Sequence, residues 1–187
     1  MSLARYLSKL GQFLNSAGQL ITTGYADGSL SQAKLAANVA GNGPAISAYL
    51  SGNQTITAAT WTKVQFNTKL FDTNTNYDNV TNYRFTPTVA GYYLVTATLF
   101  FNSSTTETTG IVGIFKNGSV YSRSGVAGFG GSSEIYPTAT SLVYLNGSTD
   151  YVEVYGYEQV SSSGSVVIIG GATPYNSKFD AVLARAA

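Results

Sequence analysis

The chain has 187 residues, of which 44% are apolar and only 10% charged, with 10 Lys and Arg against 9 Asp and Glu, a net charge of +1, and neither cysteine nor histidine. That length and apolar content support one substantial core, while the missing residue types exclude disulfide staples, thiolate or imidazole metal sites, thiol nucleophiles and Ser-His catalytic pairs. The cations, from Arg5, Lys9 and Lys34 through Lys116 and Arg123 to Lys178 and Arg185, are scattered, so no basic stripe exists to neutralise a phosphate backbone and nucleic acid is not an expected partner.

In chain order, Leu3, Tyr6, Leu7, Leu10, Phe13 and Leu14 fall at steps of three and four and predict an amphipathic helix over residues 1–17, capped by Ser2 and stopped by Gly18. A helix this short is marginal alone in water, so its stripe must dock: on its own domain, on a partner as an anchor, or in a three-helix stem. The segment is too interrupted by polar residues for a secretory signal, and no run of about 18 apolar residues occurs anywhere. A chain made in the cytoplasm, with no membrane insertion, is expected. Residues 18–43 carry no sustained apolar period and are punctuated by Gly24, Gly28, Gly41 and Gly43, which marks a linker; Ser29 to Ala37 could add one or two helical turns.

From Pro44 onward the pattern becomes short β-like runs bounded by turn residues, the arrangement of a sandwich or barrel. Strands are expected near 45–50, 54–58, 61–66, 83–87, 91–102, 111–116, 119–125, 136–145, 149–158, 165–169 and 177–185. Asn117-Gly118 and Asn146-Gly147 supply the positive φ of tight hairpins. In the 91–102 run, Tyr93, Val95, Ala97, Leu99 and Phe101 line one face, while Tyr92, Leu94 and Phe100 make the other face apolar as well. A sheet wet on one side does not need that, so Tyr92, Leu94 and Phe100, with Tyr144 from the 136–145 strand, are candidates for a subunit interface, although a helix or loop of the same chain could equally cover that face. Five Asn-x-Ser/Thr triplets, at Asn53, Asn79, Asn102, Asn117 and Asn146, are expected by chance in a chain this rich in Asn, Ser and Thr.

With no His or Cys, catalysis would rest on the nine acids, which are dispersed rather than paired. An enzyme is therefore not expected, and neither is a cofactor. Asp72 and Asp78 flank the Asn-rich stretch Thr73 to Tyr77, which could offer oxygen ligands to Ca²⁺ or simply satisfy its own backbone through local turns. The tyrosines fill the core and subunit contacts or stack on sugar rings.

Phe66, Asp72, Tyr77, Phe85, Gly91 and Tyr93 stand in an order and spacing that closely resembles the signature of C1q-like domains, with one extra residue between Tyr77 and Phe85, and with Val95 and Ala97 where that family prefers aromatics. Phe115-Lys-Asn-Gly118, the stretch from Leu145 to Val152 and the closing Ser177 to Leu183 are similar to the same family. The resemblance covers 44–187 and implies a ten-stranded jelly roll of the C1q and tumour-necrosis-factor type, all-β, whose inner sheet faces a threefold axis with the closing strand through its middle. The first sixteen residues and the element from Gly28 to Ala36 look like those of phage fibre and virion structural proteins. Together these imply a homotrimeric knob on a phage virion, as capsid decoration or tail fibre. It would be held to capsid or tail proteins by its N-terminus and could touch a host surface glycan. A carbohydrate-binding module of a cellular protein is the alternative.

Overall fold

The computed structural model describes residues 41–103, 107–127, 134–160, 165–172 and 176–187. The expected helix over 1–17 and the linker up to residue 40 lie outside these residues. The described chain contains no helix; it is built from β1 (Ala45–Tyr49), β2 (Gln54–Thr57), β3 (Thr62–Lys63), β4 (Thr68–Asp72), β5 (Tyr77–Asp78), β6 (Arg84–Phe85), β7 (Ala90–Thr98), β8 (Phe101–Ser103), β9 (Glu107–Lys116), β10 (Ser119–Ala127), β11 (Glu134–Ile135), β12 (Thr138–Asn146), β13 (Val152–Val160), β14 (Ser165–Ile168) and β15 (Lys178–Ala186). Ten of these are four residues or longer.

Three antiparallel sheets result: a five-stranded one in the order β12-β7-β15-β1-β4, a six-stranded one in the order β10-β9-β13-β6-β5 with β3 also pairing β13, and a short one in the order β11-β8-β14-β2. The closing strand β15 occupies the centre of the five-stranded sheet, as the C1q resemblance implies. Period-two alternation sets which side of each strand is dry. In β7, Gly91, Tyr93, Val95 and Ala97 point inward and are buried, while Tyr92 and Leu94 point outward. The inward residues meet Val112, Ile114, Val152 and Val154 of the six-stranded sheet and Phe101, Val166 and Ile168 of the short one in a single core.

Aromatic edges organise that core: Phe85 meets Tyr93 at 5.5 Å and Tyr77 meets Phe179 at 5.7 Å, both edge-to-face. Each such side chain contributes about 1.5–3 kcal/mol by leaving water. The two core tyrosines keep their hydroxyls bonded, Tyr93 donating to the Val89 carbonyl at 2.7 Å and Tyr77 to that of Phe66 at 3.0 Å, so neither leaves a buried donor unpaired.

Three expectations are corrected. The run 91–102 is not one strand: Leu99, Phe100 and Phe101 are all buried, which no single strand face allows, and the chain passes here from the five-stranded sheet to the short one. Leu99 donates to the Pro137 carbonyl and the Phe100 N–H to Ser177 Oγ at the step. Asn146-Gly147 is not a hairpin turn, because β12 and β13 belong to different sheets; Asn146 Oδ1 instead gathers the N–H groups of Ser148, Thr149 and Asp150 around the crossing, and only Gly147 takes a positive φ, 72°. Asn117-Gly118 does join paired strands, with φ of 51° and 79°. Finally, Thr68 to Asp72 forms the edge strand β4, joined to β1 through a register shift at Ser47/Ala48. Its side chains do not alternate cleanly in burial.

Candidate functional site

The outward face of the five-stranded sheet is assembled from register. Tyr144 stands opposite Tyr92, and Arg185 beside it. The next row is Leu142, Leu94, Val182 and Ala45, four apolar side chains across four strands. Below it run Thr140, Thr96, Asp180, Ser47 and Phe71, and then Thr138, Thr98, Lys178, Tyr49 and Thr68. The face is thus graded from apolar at one end to polar at the other.

Tyr92, Leu94, Leu142, Tyr144, Val182 and Phe71 are each between 40% and 53% exposed. The Tyr92 and Tyr144 rings lie 5.4 Å apart. Two open depressions lie on this face, about 480 Å³ between Tyr92, Leu142 and Ala184–Ala187, and about 350 Å³ between Phe71, Leu94 and Val182. In the polar rows the hydroxyls of Thr96 and Thr140 meet at 3.1 Å and those of Thr98 and Thr138 at 2.9 Å, and Lys178 pairs with Asp180 at 3.2 Å. Those polar groups satisfy one another within the sheet. The leucine, valine and tyrosine surface has nothing over it among the described residues, and a contiguous apolar sheet face of this kind marks a contact surface.

Of the residues singled out from the sequence, Tyr92, Leu94 and Tyr144 come together on this face. Phe100 does not join them: it is 7% exposed and stacks on Tyr136 at 4.3 Å, beyond the point where the chain leaves β7. The N-terminal stripe Leu3, Tyr6, Leu7, Leu10, Phe13 and Leu14 lies outside the described residues. Leu142, Val182 and Phe71 were missed. Leu142 and Val182 carry a sequence signal, apolar residues on both parities in 142–145 and 181–183, whereas Phe71 sits in a strand that does not alternate.

The Asn-rich loop resolves in favour of local turns. Asp72 accepts the N–H groups of Asn76 at 2.9 Å and Tyr77 at 3.1 Å, plus Lys69 Nζ at 3.1 Å. Asp78 accepts from Thr81, Val80 and Asn82 backbone N–H groups and from the Asn82 amide. The Thr81 and Val80 N–H groups foremost hold its carboxyl well below the usual carboxylate range. Both carboxylates face the chain's own donors, and no cluster of three or more acids able to hold a metal occurs among the described residues. Asp150 is likewise held low, first by the Asn117 amide and then by Lys116, at 2.8 and 3.0 Å. These acids are structural ties across turns.

No protein-family model matches this chain, and no curated protein matches it. Solved structures do. The globular domain of the zebrafish complement 1qA protein is 19% identical, with a TM-score of 0.52 over 77% of this chain and 99% of that one. Murine APRIL at pH 5.0 is 10% identical, with a TM-score of 0.53 over 75% of this chain and 98% of that one. The Eiger TNF of S. frugiperda is 9% identical, with a TM-score of 0.51 over 77% and 92%. The fold is accordingly an all-β jelly roll of the C1q and TNF type.

Proposed function

We propose that this chain is a homotrimeric, non-catalytic knob whose subunits associate through the outward face of the five-stranded sheet, and that it serves as a surface structural protein of a phage virion. One observation carries the assembly: the apolar rows Tyr144-Tyr92 and Leu142-Leu94-Val182-Ala45, uncovered in the protomer. A second copy of this chain is the occupant that suits them, since the resemblance in the sequence puts a threefold axis at this sheet. A closed ring of identical contacts also leaves no sticky face over. The virion setting draws its support from the N-terminal stripe and linker, which suit an anchor on capsid or tail. Repetition of three weak outer sites over a particle would then give avidity towards a host surface without a tight individual site.

The experiment is the native mass of the full chain by light scattering, before and after Leu94→Asp. The expected result is a trimer that becomes a monomer with an unchanged β-sheet circular dichroism spectrum; a wild-type monomer, or an aspartate variant that stays trimeric, overturns the assembly. Removing residues 1–17 should abolish incorporation into particles and leave the knob folded; incorporation at the wild-type level sinks the anchor.

A further inference from the structure

The outward face of the six-stranded sheet, across the core from the proposed interface, carries a different kind of surface. Trp61 is the only tryptophan in the chain and stands immediately before β3. Its indole is laid onto Gly113 of β9: a Cβ there would stand 2.9 Å from the indole Cζ3 and 2.8 Å from the Phe115 ring. The absent side chain of Gly113 is therefore the slot that admits the ring. Phe115 holds the indole edge-on at 5.4 Å, Tyr157 flanks it at 5.4 Å, and Phe115 is itself stacked on Tyr155 at 4.0 Å. The aromatic platform is thus fixed before any ligand arrives, which lowers the ordering cost of binding.

Beside the platform lies an open depression of about 250 Å³ lined by Trp61, Ile111, Arg123 and Tyr157. Arg123 reaches it from β10, opposite Gly113, and Gly125 opposite Ile111 leaves the neighbouring position without a side chain. The nearby Lys63 is already paired with the buried Glu153. The Arg123 side chain has no ion pair or hydrogen bond among the described residues, although it is exposed beside three aromatic or apolar groups. Its guanidinium is a rigid fork of donors matched to a planar or tetrahedral oxyanion.

The volume is below the roughly 300–1,000 Å³ of pockets for drug-sized ligands, so one ring fits and an extended peptide side of several residues does not. A single cation with no basic stripe around it argues against a phosphate backbone. Aromatic faces present apolar area to the C–H face of a sugar ring while their polar edges stay wet. We propose that the Trp61-Arg123 depression binds one acidic saccharide residue, its ring against Trp61 and Tyr157 and its carboxylate or sulfate on Arg123. This deepens the host-contact part of the proposed function and rests on it only for its biological setting, because every lining residue belongs to one protomer.

Trp61 is its own reporter. The full chain is titrated with glucuronate, N-acetylneuraminate and glucose 6-sulfate, with glucose and acetate as controls at equal ionic strength, while tryptophan emission is followed. At least one acidic ring should give a saturable change at millimolar concentration, at least about tenfold tighter than glucose, as loss of one charge-assisted contact predicts; the carboxylate and sulfate arms identify the acid. Arg123→Gln, on an exposed strand, should erase the preference for acid over neutral sugar and leave the fold intact. Absence of saturation with every acidic ring, an equal response to acetate, or retention of the acid preference in Arg123→Gln each overturns the site. Native mass is read on the same samples, so a monomer that still binds refutes the trimer alone, and a trimer that does not bind refutes this site alone.

Discussion

The two large sheets obey the same alternation and turn opposite kinds of face outward. On the six-stranded sheet the outward side chains cover one another: Glu153 is 3% exposed, yet it pairs with Lys63 and accepts from the Tyr155 hydroxyl, whose pKa burial and Glu153 push up. Phe115, Tyr155 and Trp61 complete that cover. On the five-stranded sheet threonine pairs and the Lys178–Asp180 ion pair tie most of the polar half together, only the buried Ser47 hydroxyl there finding no partner among the described residues, and the apolar half is left bare. The difference teaches where to look for partners: a face that has closed over itself leaves only a small concavity, while a face whose apolar rows end in water offers the area that contact with another chain would need.

Separating the two faces experimentally begins with the largest effect. Lys63→Met leaves Glu153 buried without its cation and should cost about 3 kcal/mol of protomer stability in chemical denaturation, with native mass unchanged. On the opposite face Tyr92→Ala should do the reverse, weakening assembly by about 2 kcal/mol in a dilution series while the unfolding midpoint of the dissociated protomer hardly moves. A variant on either sheet that moved both readouts equally would erase the distinction.

Acid tests a smaller contribution, from the turn that joins β5 to β6. The folded-state pKa of Asp78 is depressed by backbone N–H groups, so its stabilisation is fully present above the ordinary Asp value of about 3.9 and is lost as pH falls below it. Asp78→Asn should flatten that acid limb of the stability profile; an unchanged limb would assign it to other carboxylates. The smallest effect is Thr98→Val, which removes the hydroxyl pair with Thr138 and should change stability by about 0.5 kcal/mol.

What the sequence made legible is what depends on near neighbours. The alternation through Tyr92 to Ala97, the Asn117-Gly118 hairpin and the closing strand near Ser177 to Leu183 all follow from period and turn chemistry, and the C1q resemblance supplied their order. The step at Leu99 to Phe101 was hidden, because a continuously apolar run looks the same whether it stays in one sheet or changes sheets. Asn146-Gly147 misled for a related reason: Asx-Gly chemistry bends a chain identically whether or not the flanking strands pair. Of the apolar face, Tyr92, Leu94 and Tyr144 were visible from strand parity, but the row that unites Leu94 with Leu142 and Val182 exists only in the register of three strands. The Trp61 platform was beyond reach, since its slot is a glycine on β9 and its cation a residue on β10.

The central position of β15 also orders events during synthesis. The β9-β10 hairpin and β13 are complete in sequence by residue 160 and can pair before β15 has been made, whereas β7 and β1 have no neighbour between them until residues 178–186 arrive. The row that carries Leu94 is therefore split between two strand pairs, β12-β7 and β4-β1, until β15 joins them, and this sheet closes in a late step that brings together strands far apart in the chain. Nascent chains stalled before Lys178 would be the species that chaperones meet.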